Sequence, residues 1–440
     1  MRTAPEIALH GVAANDYHAR RRTTMHPFTR RILALALVAV VFVPVLVFGA
    51  DTSCVAPRLE RGQSQHIDII SNKPWVYVSM NGSRPLHFVL DAGSPFTLLN
   101  TGLPQAVGFS VAAETTFANG FVAKTYTPKA CVRTLGATLS GISIGDIELD
   151  HVSAVEGERL DGLIGGQFFA RHVVRIDYMR SSIDVFPASY EYHGDGIVLP
   201  LKIDGLAFTD ASIMAPDGHY VTGTFIVDTG VRMPLLLNAP YTDNNGLLVA
   251  EKRVPRASVG VGVNGETRGD IFRVRDVEIG GLHMADVVAV CSRDAVVIDP
   301  NDTLAGIIGG DFLRRFRVTF DYPHNQLVLE ETPETRQPFV YDCSGLFLLA
   351  EGTDYRTIRV HRVIKGSPAE DAGIRENDRL VSIDGRATRR LGLEKVRALF
   401  REESRRYRLV LERGDELVTA QLATKDLLKT GAAVVEASGS

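Results

Sequence analysis

The chain has 440 residues, with 48 Lys and Arg against 52 Asp and Glu, and a formal net charge of −4. That length predicts about three domains with ample core, and a hydrophobic content of 45% with 23% charged residues excludes wholesale disorder. The near-neutral balance gives no composition-level case for nucleic-acid binding, and four cysteines are too few for a disulfide scaffold.

Residues 32–50, ILALALVAVVFVPVLVFGA, carry no charge, and six Arg stand against Glu6 and Asp16 in residues 1–31. A basic flank followed by an apolar run predicts a signal sequence or an N-terminal membrane anchor over residues 1–50. The chain is therefore expected to be exported, to the periplasm or another extracytoplasmic space, with the membrane as a partner if the segment is not cleaved. Export puts Cys54, Cys131, Cys291 and Cys343 in an oxidising space, where one or two disulfides are expected and three pairings are open.

An internal repeat follows. FVLDAGSPFTLL at 88–99 matches FIVDTGVRMPLL at 225–236, and DGLIGGQFFARHVVRIDY at 161–178 matches AGIIGGDFLRRFRVTFDY at 305–322. Asp91 and Asp228 are 137 residues apart and Gly165 and Gly309 are 144 apart, so the two copies differ by only a short insertion. The alternation of HFVLDAG, GISIGDIEL and FRVRDVEIG predicts strands. Helical signals are short, chiefly around 165–171 and 309–315. Each copy reads as one β-lobe.

In both copies an apolar strand runs directly into Asp, a small residue and Gly. This places a carboxylate at the end of a buried strand, in a turn where glycine is needed. Two such carboxylates from facing lobes can meet and share one proton, leaving the other carboxylate to activate water. That chemistry suits attack on a peptide carbonyl without a covalent intermediate.

Several motifs lead elsewhere and are set aside. Gly260 to Gly265 satisfies GxGxxG, but an alternating strand follows it where a dinucleotide site needs a helix. Gly141 to Gly145 satisfies GxSxG within the same kind of strand alternation. The twelve histidines form no HExxH and no close pair, so no metal and no cofactor is expected.

The two Asp-Ala/Thr-Gly turns, with Leu163-Ile164-Gly165 and Ile307-Ile308-Gly309, resemble the two catalytic loops of the aspartic proteases. The resemblance covers residues 64–332, and lobes this short look more like bacterial retropepsin-like proteins than full-length pepsins. It implies catalytic roles for Asp91 and Asp228, and loop roles for Ala92, Gly93, Ser94, Thr229, Gly230, Gly165 and Gly309. Ser94 and Thr229 would support the carboxylates through their hydroxyls, and the two later glycines would let a second loop pack beneath each turn. A flap is expected at Ala118–Val122 with Tyr126, and in the second copy at Val263–Gly265. The sequence departs from the family where Ala92 stands in place of a hydroxyl residue and where Val231 and Arg232 follow Gly230. Those departures leave room for a catalytically weak or inactive peptide-binding scaffold.

Beyond ETPETRQP, the strings Ser367-Pro368-Ala369, Ala372-Gly373-Ile374 and DRLVSIDG at 378–385 closely resemble a PDZ domain. Such a domain binds protein C-termini by strand addition, with the terminal carboxylate held by backbone N–H groups. By resemblance the carboxylate loop is Gly345-Leu346-Phe347, and the groove helix presents Val396, Leu399 and Phe400. The predicted fold is mainly β: two duplicated aspartic-protease-like β-lobes of the acid protease fold, then an α+β PDZ domain, a small β-barrel with helices. The predicted partition is an export or anchor segment at 1–50, lobe 1 at 64–190, lobe 2 at 191–332, a linker at 333–344, the PDZ domain at 345–427 and a disordered tail at 428–440. Polypeptides are the expected substrates.

Overall fold

The computed structural model describes residues 62–109, 111–116, 122–126, 131–142, 144–248, 253–262, 265–292 and 304–429. The export segment and most of the first flap candidate lie outside these residues. Among the described residues no helix is long and apolar enough to cross a membrane.

The alternating apolar segments form strands, and two long sheets result. In the first, Lys73–Met80 pairs with Leu86–Leu90, which pairs in parallel with Gly162–Ile164. Thr97–Asn100 continues the sheet from Gly162–Ile164 to Ile144–Ile147. The second sheet is closed. Its order runs Leu206–Met214, Tyr220–Val227, Gly306–Ile308, Leu235–Asn238, Leu282–Ser292 and Gly265–Ile279, and the last strand pairs back onto the first through Ser212 and Glu278. Two further strands, Lys202–Asp204 and Arg253–Gly262, pair outside this closed ring, with Leu206–Met214 and Gly265–Ile279. The parallel pairing seen before Asp91 recurs before Asp228, where Phe225–Val227 runs beside Gly306–Ile308.

A third, six-stranded sheet joins the halves. His172–Asp177 pairs antiparallel with Phe316–Asp321, with Val174 opposite Phe320. Each strand leaves a one-turn helix, Gly166–Phe169 or Gly310–Leu313, where the sequence signal for helix was found. A further helix, Asp150–Glu156, was not expected. Leu149, Val152 and Val155 turn inward from it.

The C-terminal segment is α+β. Leu346–Glu351, Thr357–Val363, Arg379–Ile383, Arg406–Arg413 and Glu416–Ala423 form its sheet, with the helix Leu393–Phe400 packed over it. Its core contains Leu348, Val360, Leu380, Val396 and Phe400. The Ser-Pro-Ala-Glu string makes a capping box: Ser367 Oγ accepts the Glu370 N–H, and the Glu370 carboxylate accepts the Gly366 N–H.

Two expected loose segments are packed. In the stretch read as a linker, Phe339 and Cys343 are buried, and Arg315 binds the carbonyls of Glu334 (3.3 Å), Gln337 and Pro338 (3.2 Å). The Arg315 guanidinium also lies 3.5 Å from the centre of the Phe339 ring. Leu428, the first residue of the expected tail, is buried in the main core. In each case an apolar side chain found partners that local composition does not reveal.

Cys131 is disulfide-bonded, whereas Cys291 and Cys343 are buried thiols outside any disulfide. Burial pushes the Cys343 thiol up to about 12, so it stays protonated.

Arg315→Met strands buried carbonyls and frees Phe339. It is expected to cost about 2–4 kcal/mol in urea unfolding and to open residues 332–339 to limited proteolysis. Unchanged stability and protease resistance would contradict the stapling role.

Candidate active site

Both aspartates sit where a buried strand ends. The Asp91 N–H donates to Ile164 O at 2.8 Å, and the Asp228 N–H to Ile308 O at 2.9 Å. Each chain then turns sharply enough for the glycine N–H two residues on to reach the same carboxylate: Gly93 to Asp91 Oδ1 at 2.9 Å, Gly230 to Asp228 Oδ1 at 2.6 Å. These are Asx turns that fix each carboxylate against its own backbone.

The two turns face each other. A Cβ on Gly93 would overlap the Asp228 carboxyl, and one on Gly230 would come within 2.6 Å of Asp91 Oδ1. Each carboxyl thus occupies space that only the opposite glycine leaves open. Gly165 and Gly309 serve the layer behind. A Cβ on the first would overlap Ser94 O and Phe96 O, and a Cβ on the second would overlap Met233 O. The Gly166 and Gly310 N–H groups close these contacts onto Ser94 O (2.7 Å) and Val231 O (2.6 Å).

Thr229 ties the turns together, although it does not support a carboxylate. Its Oγ1 donates to Leu90 O at 2.6 Å and accepts the Ala92 N–H at 2.9 Å. Ala92 carries no hydroxyl to return the bond. The Ser94 hydroxyl also misses the carboxylates and donates to Phe96 O at 2.8 Å, closing its own turn. Tyr126 ends the strand Val122–Tyr126, its backbone paired with Val111 and Ile144. Its side chain, Ala118–Phe121 and Val263–Asn264 lie outside the described residues.

The two carboxyls share one environment. Burial pushes Asp91 well above the carboxylate range, and the neighbouring Asp228 charge and hydrogen bond push it further. Burial also raises Asp228, while the hydrogen bond from Asp91 and the Gly230 N–H oppose the rise. One proton therefore belongs to the pair, with Asp91 its main holder. Tyr178 and Tyr322, the repeated Asp-Tyr of 177–178 and 321–322, are buried near this charge. Their hydroxyls have no hydrogen-bond partner among the described residues. Sequence reading quoted both tyrosines within the repeat and assigned them nothing. No group of side chains among the described residues could hold a metal ion.

The expected peptide groove of the C-terminal segment adjoins a cavity lined by Asp342, Leu346, Phe347, Leu348 and Arg397. The Gly345 N–H of the expected carboxylate loop and the Ser344 N–H before it donate to Asp342 Oδ1 at 2.7 and 2.9 Å, and the Leu346 N–H goes to Ser344 Oγ. Leu346 and Phe347 are buried, Val396 and Phe400 are core residues, and Leu399 is half-buried. The helix Asp150–Glu156 packs against the strand Leu346–Glu351, and a Cβ on Gly157 would meet Leu393 Cβ at 2.7 Å. On the other side, Glu266 receives His361 (3.3 Å) and Arg362 (3.4 Å).

Comparison with known proteins agrees with this division. Residues 211–312 match the model of an aspartyl protease family, and residues 359–413 match that of a PDZ domain. The first match includes the Asp228 turn but not the Asp91 turn. No curated protein matches the chain. Among solved structures, the aspartic proteinase from Irpex lacteus is 16% identical, with a TM-score of 0.41, over 63% of this chain and 99% of that one. The chain thus contains an aspartyl-protease-like domain and a PDZ domain.

Thr229→Val leaves the Ala92 N–H and Leu90 O without their buried partner and is expected to cost about 1–3 kcal/mol. Ser94→Ala, which loses one local bond, should cost less in the same urea titration. Equal losses would mean that Thr229 does not bridge the turns.

Asp91 holds its proton more tightly in the folded chain than in the unfolded one. Its contribution to stability is present below the unfolded carboxyl range and lost as pH rises through the raised folded value. Asp91→Asn is therefore expected to gain stability relative to the native chain as pH rises from about 4 towards neutrality. A constant difference across that window would contradict the shift.

Proposed function

We propose that the chain is an exported aspartic endopeptidase built from two duplicated lobes, residues 64–190 and 191–332, with a PDZ module at 345–427 that receives the C-termini of substrates or partners. The observation that carries this reading is the seating of Asp91 and Asp228 over each other's glycines.

In this reading Asp228 acts as the anionic partner and takes a proton from a water held between the carboxyls. Asp91 gives its proton to the oxygen of the scissile carbonyl as that water attacks. The tetrahedral diol then collapses when a proton from the pair reaches the leaving nitrogen. Burial serves the step by raising the Asp91 proton affinity and by excluding competing solvent from the pair. Activity is expected at acidic pH and should fall as the shared proton is lost.

A second reading, a scaffold whose lobes bind peptides without cleaving them, is favoured by Ala92. Its missing hydroxyl leaves Thr229 as the bridge between the turns, through its hydrogen bonds with the Ala92 N–H and Leu90 O. The export segment supports placement outside the cytoplasm and, if retained, attachment to the inner membrane through residues 32–50.

Hydrolysis of an unfolded protein and a broad peptide library across acidic to neutral pH separates the two. The native chain should cleave, and Asp91→Asn and Asp228→Asn should each lose about 10²–10⁴-fold or more in rate. Equal inactivity of all three at every pH would favour the scaffold.

A further inference from the structure

The strand Lys73–Met80 runs antiparallel to Leu86–Leu90, with Trp75 opposite Val89 and Tyr77 opposite His87. Continuing that register towards the turn sets Lys73 opposite Asp91. In the second sheet, Phe208 lies opposite Ile226, and the same continuation sets Leu206 opposite Asp228. The position beside the carboxyl is thus cationic on one side of the pair and apolar on the other.

Lys73 is 9% exposed, an unusual place for an ammonium without partners. Its Nζ donates to Glu156 Oε1 at 2.8 Å, and Glu156 is 3% exposed. Burial pushes the Glu156 carboxyl up, but Lys73, Arg397 and Arg232 outweigh it and hold the group ionised. Glu156 Oε2 has no hydrogen-bond partner among the described residues, so charge rather than a second bond balances it. Arg397 comes from the helix Leu393–Phe400 of the PDZ module. It is buried, and it donates to Leu348 O at 3.1 Å and to Ser71 Oγ at 3.4 Å. Ser71 in turn donates to Glu394 at 3.3 Å. The Ser71–Asn72 turn rests on the second active loop: Asn72 Nδ2 donates to Arg232 O at 3.1 Å, and Asn72 O fills the space beside Gly310.

We infer that Lys73 is a positioning residue of the Asp91–Asp228 pair, a cation supplied by the first sheet alone, and that Arg397 of the PDZ module holds the Ser71–Lys73 turn in place through Ser71 Oγ. This rests on reading the pair as a proton-sharing dyad. Both carboxyls feel Lys73 as a charge that eases ionisation. The charged groups around Lys73 are Asp91 and Asp228 from the turns, Glu156 from its helix, Arg397 and Glu394 from the module, and Arg232 after the second turn. A peptide strand added beside Leu346–Glu351 would compete with Arg397 for Leu348 O, which couples occupancy of the module to the proton on the dyad.

The test is a carbon-13 NMR titration of aspartate carboxyls in the full chain, labelled on aspartate, with Asp91→Asn and Asp228→Asn for assignment. Lys73→Met is expected to move the dyad's upper midpoint to higher pH by about one unit or more, and Lys73→Arg to restore it. Arg397→Met should move it the same way by less, and should add nothing in the Lys73→Met background. Lys73→Gln gives the same reading should the methionine variant not fold. A midpoint unmoved in a folded Lys73 variant overturns the inference, and an additive Arg397 shift overturns the link to the module. Absence of hydrolysis by the native chain would instead overturn the protease reading and leave this titration readable.

Discussion

Two carboxyl groups pack against each other because each has been given the one space that the opposite turn leaves empty. Gly93 makes room for Asp228 and Gly230 makes room for Asp91. Much of the surrounding structure follows from keeping that contact. The parallel pairs Val89–Leu163 and Ile226–Ile307 stiffen the strands that deliver the aspartates. Gly165 and Gly309 let a second layer of backbone close in behind, and the joint sheet through His172–Asp177 and Phe316–Asp321 fixes one half against the other. Burying two acids this closely is costly unless one is neutral, and the proton that solves the structural problem is the one the proposed chemistry uses.

The C-terminal module is bound into the same arrangement. Arg315 and Phe339 pin the approach to it, Arg273 bonds to Phe339 O and Asp426, and Glu266 meets His361 and Arg362. Burial pushes the Glu266 carboxyl up, but hydrogen bonds from Ser258 and His361 and the charge of Arg362 outweigh it and hold it at about 2. These contacts bring the helix Leu393–Phe400 to the Ser71–Lys73 turn. The same packing crowds the groove, with Asp342 bonded to the Ser344 and Gly345 N–H groups and the helix Asp150–Glu156 along the outer strand. A peptide seeking that groove must therefore displace groups of this chain, and the groups displaced adjoin the dyad.

How much of this could be read from sequence depends on the range of the interaction. Asp91 and Asp228 were legible because duplication wrote the same strand–Asp–x–Gly pattern twice, and a local pattern reports local geometry. Lys73 was not legible. It opens a strand beside Pro74 and Trp75, and only the register with Leu86–Leu90 carries it to Asp91. Glu156 lies on a helix with too few turns to show a clear period. Thr229 was expected to support a carboxylate, but its hydroxyl meets Leu90 O and the Ala92 N–H, since a family pattern names the residue and not its partner. Asp342 was missed because it stands just ahead of the loop whose N–H groups it takes.

The proposed function requires Asp91 and Asp228 to form one site that recognises a tetrahedral carbon. A crystal structure of the full chain with a peptide mimic carrying a secondary alcohol in place of the scissile amide tests it most directly. The account predicts that the alcohol oxygen lies between the two carboxyls, within hydrogen-bond distance of both. A peptide bound in the PDZ module alone, with the two turns unoccupied at saturating ligand, would contradict it.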